Sequence, residues 1–533
     1  MAPSEHEATP EQVDDEPAQA VSVPDTGDAG ESSKLKMIIQ LVKKCLGVKD
    51  IATMRLSLPA SLLEPIPNLE YWHYLDRPDL FAAINDSEDP FERMLAVLRF
   101  TFTKDLKFIR GKVCKPYNSV LGEHFRSHWD VIPVTYPSDP SQPPIPHLYV
   151  SPTAAESSVS APAAISRSES ASIRSGMSSK SAMSMLSLTS RGYSTPGRST
   201  PATSPELVES NPEAELSNLS LAEAGSAEVL ETDDTVEAAR PRVRIAFLTE
   251  QVSHHPPVSA FVVRCPSRSL ELTGIDQISA KVSGTAVRVT PGSYNKGLFV
   301  RITGGPGEGE GYHVTHPAAS VNGILRGSFY VSLSESTIIT CTGPGDGEQL
   351  RAIIEYKEES WLGRAQFLIE GVIHSYDPSG TQHNEWTRIK HVPRYRVRAV
   401  FDGSWRGNIR WRRADTPDAD WATLLDLSTL HVIPKSVRPL ERQLPDESRR
   451  LWDSVTSRLL RKEYSEATKH KQAIEQKQRD DAAERKRKGV AFIPKYFESD
   501  FSSGVPSLTA AGQHALEEEL KEEVEYPLED SAQ

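Results

Sequence analysis

Val243-Arg244-Ile245-Ala246-Phe247-Leu248-Thr249-Glu250-Gln251-Val252-Ser253-His254-His255-Pro256-Pro257 joins an apolar, β-branched run to two imidazoles and two prolines. Val243 to Val252 predicts a strand. The prolines stop it, since neither can donate a ladder hydrogen bond. Neighbouring strand residues face opposite ways, so His254 and His255 do not converge inside a regular strand. At a strand end the residue before proline is held extended and the chain can turn, which lets both rings reach one anion. A pair of histidines capping a buried strand end is the other local reading.

Outward from this run, period-two alternation continues toward the C-terminus. Leu270 to Thr273, Thr285 to Thr290, Leu298 to Ile302, Val314, Gly327 to Leu333, Ser336 to Cys341, Leu350 to Glu355 and Tyr395 to Phe401 read as short strands. Loops such as Gly343-Pro344-Gly345-Asp346-Gly347 separate them. Gly304 to Gly309 reads as a hairpin loop, because Glu308 puts an acid where a phosphate cradle wants neutral or basic groups. Consecutive strands at this spacing argue for an antiparallel meander or barrel, not an α/β sheet.

Helical patterns flank the strands. Leu35 to Leu46 sets an apolar stripe of Leu35, Ile38, Ile39, Val42, Cys45 and Leu46 against Lys36, Gln40, Lys43 and Lys44, and Gly47 closes it. Phe91 to Lys107 reads as a long helix entered after Asp89-Pro90. Glu447 to Arg487 is a charged helical stretch, followed by an aromatic-rich tail from Phe492 to Phe501. The class is α+β: a helical layer, a large antiparallel barrel and a helical C-terminal part.

Composition sets the bounds. Residues 1–33 are acidic and rich in Pro, Ala and Ser, and residues 138–240 are dominated by Ser, Ala, Pro, Thr and Glu. Such segments bury too little apolar surface to offset chain entropy. Both are expected to be disordered, with an acidic tail at 504–533. What remains, roughly 350–380 residues, suffices for one large domain, built from 34–137 and 241–503. The net charge of −13 comes from acids concentrated in the N-terminal tail, Glu206 to Glu237 and Glu517 to Asp530. Nothing in this balance supports nucleic-acid binding. The four cysteines, Cys45, Cys114, Cys265 and Cys341, have no metal spacing and read as reduced thiols. No apolar run approaches the ~18–20 residues of a membrane span, and the N-terminus lacks a signal peptide's apolar core. A soluble cytosolic monomer with peripheral membrane contact is expected. There is no Gly-x-Ser-x-Gly elbow, His-Glu-x-x-His or Walker sequence, and His254 and His255 lack further ligands at zinc spacing. No enzymatic activity, metal or cofactor is expected.

Glu250 to Pro257, continued through Val258-Ser259-Ala260, resembles the signature of the oxysterol-binding-protein-related family of lipid carriers. Lys115-Pro116-Tyr117-Asn118 with Leu121-Gly122-Glu123 resembles a second segment of that family. Lys471, Glu475 and Arg479 resemble its Lys-x-x-x-Glu-x-x-x-Arg helix. At i, i+4 and i+8 these three share one helical face over about 12 Å. Taken alone, that helix reads as a solvated face among Lys477, Arg485, Lys486 and Arg487.

The resemblance covers residues 36–137 and 241–500, and it implies an incomplete barrel enclosing a lipid tunnel. It further implies a lid from the 35–46 helix, with Ile38, Val42, Leu58 and Leu62 meeting lipid tails. The head group of phosphatidylinositol 4-phosphate would then lie on Lys115, Asn118, His254, His255, Lys471, Glu475 and Arg479. The chemistry suits these residue types. A phosphomonoester carries close to two negative charges and several acceptor oxygens, which convergent ammonium, imidazole and guanidinium donors satisfy. The implied activity exchanges a sterol or a glycerophospholipid such as phosphatidylserine for the phosphoinositide. The membranes would be those of the endoplasmic reticulum, Golgi or plasma-membrane contacts. Leu58-Pro59 with Leu62-Leu63-Glu64-Pro65 leans toward the phosphatidylserine carriers. The alternative is a phosphoinositide- and sterol-sensing scaffold without net transport, regulated through Thr195-Pro196, Thr200-Pro201 and Ser204-Pro205.

Overall fold

The computed structural model describes residues 21–22, 31–52, 56–110, 114–139, 142–147, 241–324, 329–344, 347–359 and 365–521. Most of the expected 138–240 insert and residues 522–533 lie outside these. Within the insert, Ile145 pairs with Thr135 through two backbone bonds of 2.8 and 3.0 Å.

β1 (Val21–Ser22) pairs in parallel with β2 (Leu56–Ser57). The next strands are β3 (His124–Val131), β4 (Val243–His254), β5 (Pro257–Cys265), β6 (Leu270–Asp276), β7 (Ile278–Ser283), β8 (Ala286–Pro291), β9 (Leu298–Ile302) and β10 (Gly311–Val314). They continue with β11 (Ala318–Asn322), β12 (Tyr330–Ser334), β13 (Ser336–Thr342), β14 (Gln349–Tyr356), β15 (Leu368–Tyr376), β16 (Val397–Ser404), β17 (Asn408–Arg413) and β18 (Ala422–Asp426). Twelve form one antiparallel sheet in the order β18-β17-β16-β15-β14-β13-β10-β9-β6-β5-β4-β3, and four form a second, β12-β11-β8-β7.

The expected antiparallel meander is present. Its decisive run needs one correction. β4 continues through His254, and Pro257 opens β5 as the partner of His254. The prolines turn the chain into a hairpin instead of ending the pattern, since the first residue of a strand tolerates a missing N–H.

β18 and β3, the two edges, do not pair with each other, so the barrel is incomplete. Other segments bridge the gap. The chain after β18 returns beside β3, where His128 and Ser436 exchange backbone bonds of 3.0 and 2.8 Å. The Trp129 indole donates to the Ile433 carbonyl at 3.2 Å. Short helices α2 (Asn68–Tyr71) and α3 (Pro78–Ala82) pack on β3 and β4. α4 (Pro90–Thr103) starts where Asp89 accepts from Phe91 N at 2.8 Å with Pro90 in the first turn. Apart from Glu92, α4 is buried from Phe91 to Thr103. Arg99 Nε donates to Leu424 O of β18 at 3.1 Å, and Arg93 Nε reaches Glu310 beside β10 at 2.8 Å. The helix expected to run to Lys107 ends at Thr103, and α5 (Lys107–Arg110) restarts beyond it.

The charged C-terminal stretch is two helices, α6 (Ser448–Leu460) and α7 (Tyr464–Lys488), broken at Lys462 with φ 63°. The expected acidic tail at 504–533 is corrected over α8 (Ala510–Lys521). Ala515 and Leu516 are buried there with Tyr496 and Phe497 against Ala246 and Leu248 of β4. Burying a leucine side chain contributes roughly 2 kcal/mol, and Glu519 is itself fully buried, 2.7 Å from His128 Nδ1.

At the other end, α1 (Glu31–Lys44) begins inside the expected 1–33 tail, as does β1. Its buried residues are Met37 and, just past its end, Cys45. Ile38 and Val42 are half-buried, whereas Leu46, expected on the same stripe, is 57% exposed.

Candidate functional site

The Lys115–Asn118 segment is held by its tyrosine. Tyr117 is fully buried, its ring 4.9 Å from Trp452 of α6 and its hydroxyl 3.0 Å from Thr456 Oγ1. Its N–H donates to Ile66 O at 3.1 Å, and Glu64 N donates to Lys115 O at 3.0 Å. The 58–67 segment is fixed in turn to α7, since Ala60 N donates to Thr468 Oγ1 at 3.1 Å. With Pro116 and Tyr117 anchored inward, Lys115 and Asn118 stand at the surface.

Two cations approach each other here. Lys115 Nζ donates to Asn118 Oδ1 at 2.6 Å and to Pro116 O at 3.1 Å. Lys471, 3% exposed on α7, forms an ion pair with Glu475 one turn on. Lys115 is reached by solvent yet hemmed in by protein. Desolvation first, then the charge of Lys471, pushes its ammonium down to about 8. Arg479 is exposed and bonds Gln476 Oε1 on its own helix at 2.8 and 3.0 Å. Glu475 therefore engages the first of its two flanking cations and leaves the second to Gln476.

His254 and His255 occupy the tip of the β4–β5 hairpin, their ring centroids 4.6 Å apart and their planes 69° to each other. The end of β4 borders the Lys115 segment: Gly122 N donates to Gln251 O at 2.9 Å, and Gln251 N to Glu123 O at 2.8 Å. Gly122 sits at φ +82°, and a Cβ there would lie 3.4 Å from the Phe492 ring. That backbone angle favours glycine.

Glu123 ties the site together and was given no role by sequence reasoning beyond its place in a motif. Its carboxyl is fully buried and accepts from Ser448 Oγ at 2.6 Å, Trp452 Nε1 at 3.0 Å and Val120 N at 3.0 Å. Burial pushes its pKa up to about 7 against those three bonds. Ser448, Trp452 and Thr468 were not singled out either. Each is a common helix residue whose partner lies hundreds of positions away, so no local signal marks it.

The expected lid residues fall on two pieces of chain. Ile38 and Val42 lie on α1, Leu58 lies just before the short turn Ala60–Leu62 and Leu62 ends it; all four are half-buried. Beyond α1 the chain docks on β7 of the second sheet. Ile51 N donates to Ala280 O at 2.7 Å, and Ala280 N donates to Asp50 Oδ1 at 2.9 Å. Among the described residues no helix is long and apolar enough to cross a membrane, and no cluster of three or more His, Cys, Asp or Glu could hold a metal.

Comparison with known proteins agrees with this architecture. The family profile described as oxysterol-binding protein matches residues 37–144 and 233–523. Oxysterol-binding protein-like protein 1 of Schizosaccharomyces pombe is 39% identical over 92% of both chains. Human oxysterol-binding protein-related protein 10 is 25% identical over 83% of this chain, which spans 43% of that longer protein. The Osh1 ORD domain, crystallised with cholesterol, aligns over 90% of this chain and 88% of its own at TM-score 0.52 and 17% identity. The Osh3 ORD of Saccharomyces cerevisiae, crystallised with PI(4)P, aligns over 93% and 94% at TM-score 0.51 and 16% identity. With the signature on a hairpin tip beside the Lys115–Glu123 segment and a profile match over most of its length, the chain belongs to the oxysterol-binding protein family.

Proposed function

We propose that this protein is a lipid-transfer protein that exchanges a sterol or phosphatidylserine for phosphatidylinositol 4-phosphate between membranes. One observation carries the reading. Lys115, fixed by its 2.6 Å bond to Asn118 Oδ1, is desolvated enough, and close enough to the charge of Lys471, for its ammonium to fall to about 8. A bound phosphomonoester would supply the missing counter-charge and restore the proton, so the site is arranged for a ligand of roughly two negative charges. Asn118 holds Lys115 in place, and Glu475 does the same for Lys471. The histidine pair and Arg479 complete the assigned head-group set, and the lipid body would occupy a tunnel inside the barrel under α1. The sterol and phosphoinositide named in the Osh1 and Osh3 structures support these two ligand classes. The assigned setting is the cytosolic face of organelle membranes, reached peripherally by a monomer.

Transfer between two liposome populations tests the proposal. Net movement of labelled phosphoinositide, coupled to counter-movement of the second lipid, is expected. Binding without movement would replace the carrier by a sensing scaffold. Mass spectrometry of co-purifying lipids identifies the second cargo.

A further inference from the structure

Lys115 stands apart from the other lysines that the fold surrounds. Lys104, Lys107, Lys435 and Lys471 each pair with a carboxylate, on Asp105, Asp76, Glu70 and Glu475. Among the described residues Lys115 has no such partner. Its Nζ holds two neutral oxygens instead, Asn118 Oδ1 at 2.6 Å and Pro116 O at 3.1 Å. An ammonium has three N–H donors and finds acceptors here for two of them. A neutral amine has two, one for each oxygen, and its lone pair takes the third direction.

The backbone under this arrangement is fixed. Pro116 and Tyr117 are buried, and Glu64 N donates to Lys115 O at 3.0 Å. Lys115 itself is exposed, so a reagent in solution can reach it. The titratable groups around it are Cys114, next to it in sequence, and on α7 Lys471 with its partner Glu475. Desolvation, then the charge of Lys471, lowers the ammonium to about 8, with Cys114 acting against them.

Desolvation beside a second cation activates an amine as a nucleophile. At pH 7.5 a group titrating near 8 is about a quarter neutral, against roughly 0.1% for an ordinary lysine at 10.4. A lower pKa also weakens the attacking group, which takes back part of that advantage. The net gain in rate is on the order of tenfold.

We propose that Lys115 is an acylation site, modified by small acyl thioesters such as acetyl-coenzyme A, and that the acyl group closes the site to phosphate. Nζ attacks the thioester carbonyl carbon. The N–C bond forms as the C–S bond breaks, and the amine proton leaves with the sulfur as a free thiol. The amide carries no charge, and its one N–H can still serve Asn118. Lys471 keeps its pair with Glu475 and is left as the single lysine of the site. The reactivity stands on the surroundings of Lys115 alone, whereas its effect on lipid rests on the proposed head-group site.

The test incubates the full chain with acetyl-coenzyme A and reads each lysine by peptide mass spectrometry. At pH 7.5 Lys115 should be acylated about ten times faster than Lys281 and Lys390, which are exposed. Its rate should level off above pH 8, while theirs keep rising. Asn118→Asp places a carboxylate against Nζ, restores the ammonium and should slow Lys115 to the pace of the other two. A Lys115 that reacts no faster than Lys281 and Lys390 overturns the proposal, as does a rate in Asn118→Asp equal to the parent's. The acylated protein should extract phosphoinositide from liposomes at least tenfold more weakly. Fast acylation with undiminished extraction would instead overturn the closing of the site and, with it, the place of Lys115 in the head-group set.

Discussion

The Trp452 indole donates to the Glu123 carboxylate at 3.0 Å, joining the segment that carries Lys115 to the helix just before the one that carries Lys471. The same carboxyl accepts from Ser448 and Val120, so one buried group sets the spacing of two cations across the site.

Glu123 makes stability depend on pH. Its pKa rises from an ordinary 4.5 to about 7 through burial, so between those values the folded state holds a proton that the unfolded state has lost. Stability must then fall as pH climbs from 4.5 through 7, by about 3 kcal/mol in all from this group. Glu123→Gln retains an acceptor for the two N–H groups and offers a donor to the Ser448 hydroxyl. It is expected to fold and to flatten that dependence in denaturant titrations at pH 5 and pH 8. Glu123→Ala leaves the Trp452 and Val120 N–H groups unmet and the Ser448 hydroxyl to its longer bond to His124 O at 3.3 Å, and should cost about 2–4 kcal/mol. A pH slope in the Gln variant equal to the parent's would place the titration elsewhere.

The C-terminal helix gives a second stability test. Glu519 is buried, with His128 Nδ1 at 2.7 Å and Arg438 at 3.6 Å. Glu519→Ala should destabilise by about 2 kcal/mol, since it removes the partner of the buried His128 imidazole, while Arg438 retains Glu447 at 3.4 Å. Glu517→Ala, on an exposed neighbour, should change stability by less than about 0.5 kcal/mol. Equal effects of the two in thermal unfolding would mean that α8 is not docked in solution.

That contrast shows where the sequence was readable. The short strands were legible because alternation is a local signal, as in Ser336 to Cys341. β15 was not, because Leu368-Ile369-Glu370-Gly371-Val372-Ile373-His374-Ser375-Tyr376 is buried on both faces toward its end and loses the alternation. The α8 segment looked like a solvated tail because Glu517 and Glu518 outweigh one buried Glu519, and nothing local shows that His128 and Arg438 wait for it. The site divides in the same way. Lys115 and the histidine pair sit in contiguous motifs and could be read as blocks, whereas Lys471, 3% exposed, and Arg479 lie in a spaced pattern that alone reads as a solvated face. The buried groups that space them, and the Tyr74–Asp276 bond with its carboxyl pushed up to about 7 by burial, join residues up to several hundred positions apart.

Lid substitutions separate tail contact from fold. Ile38 and Val42 are half-buried on α1, and the chain beyond it is tied to Ala280 through Asp50 and Ile51. Replacing both with Asp puts two carboxylates on the face proposed to cover the tunnel, where unpaired charge is costly. Lipid retention, read as loss of bound lipid to acceptor liposomes, should fall at least tenfold with little change in melting temperature. Retention equal to the parent's would reduce α1 to a surface helix.

The head-group site predicts both a selectivity and a pH window. His254→Ala with His255→Ala removes two charge-assisted bonds of about 1.5–3 kcal/mol each, weakening phosphoinositide extraction by roughly two to four orders of magnitude. A sterol carries no phosphate, so its extraction should survive, whereas phosphatidylserine should be partly lost. Lys115 adds the pH dependence. Its ammonium, lowered to about 8, is regained when phosphate binds, so affinity must drop as pH rises through 8. Phosphate ionisation near 6 is largely complete by pH 7.5, so a loss between pH 7.5 and 9 that disappears in Lys115→Ala belongs to Lys115. Lys115→Ala should bind at least tenfold more weakly at pH 7.5 and show no step near 8. Extraction measured across that window in the parent and both variants decides the assignment: a flat parent profile removes Lys115 from the site, and undiminished extraction by the double histidine variant removes the hairpin.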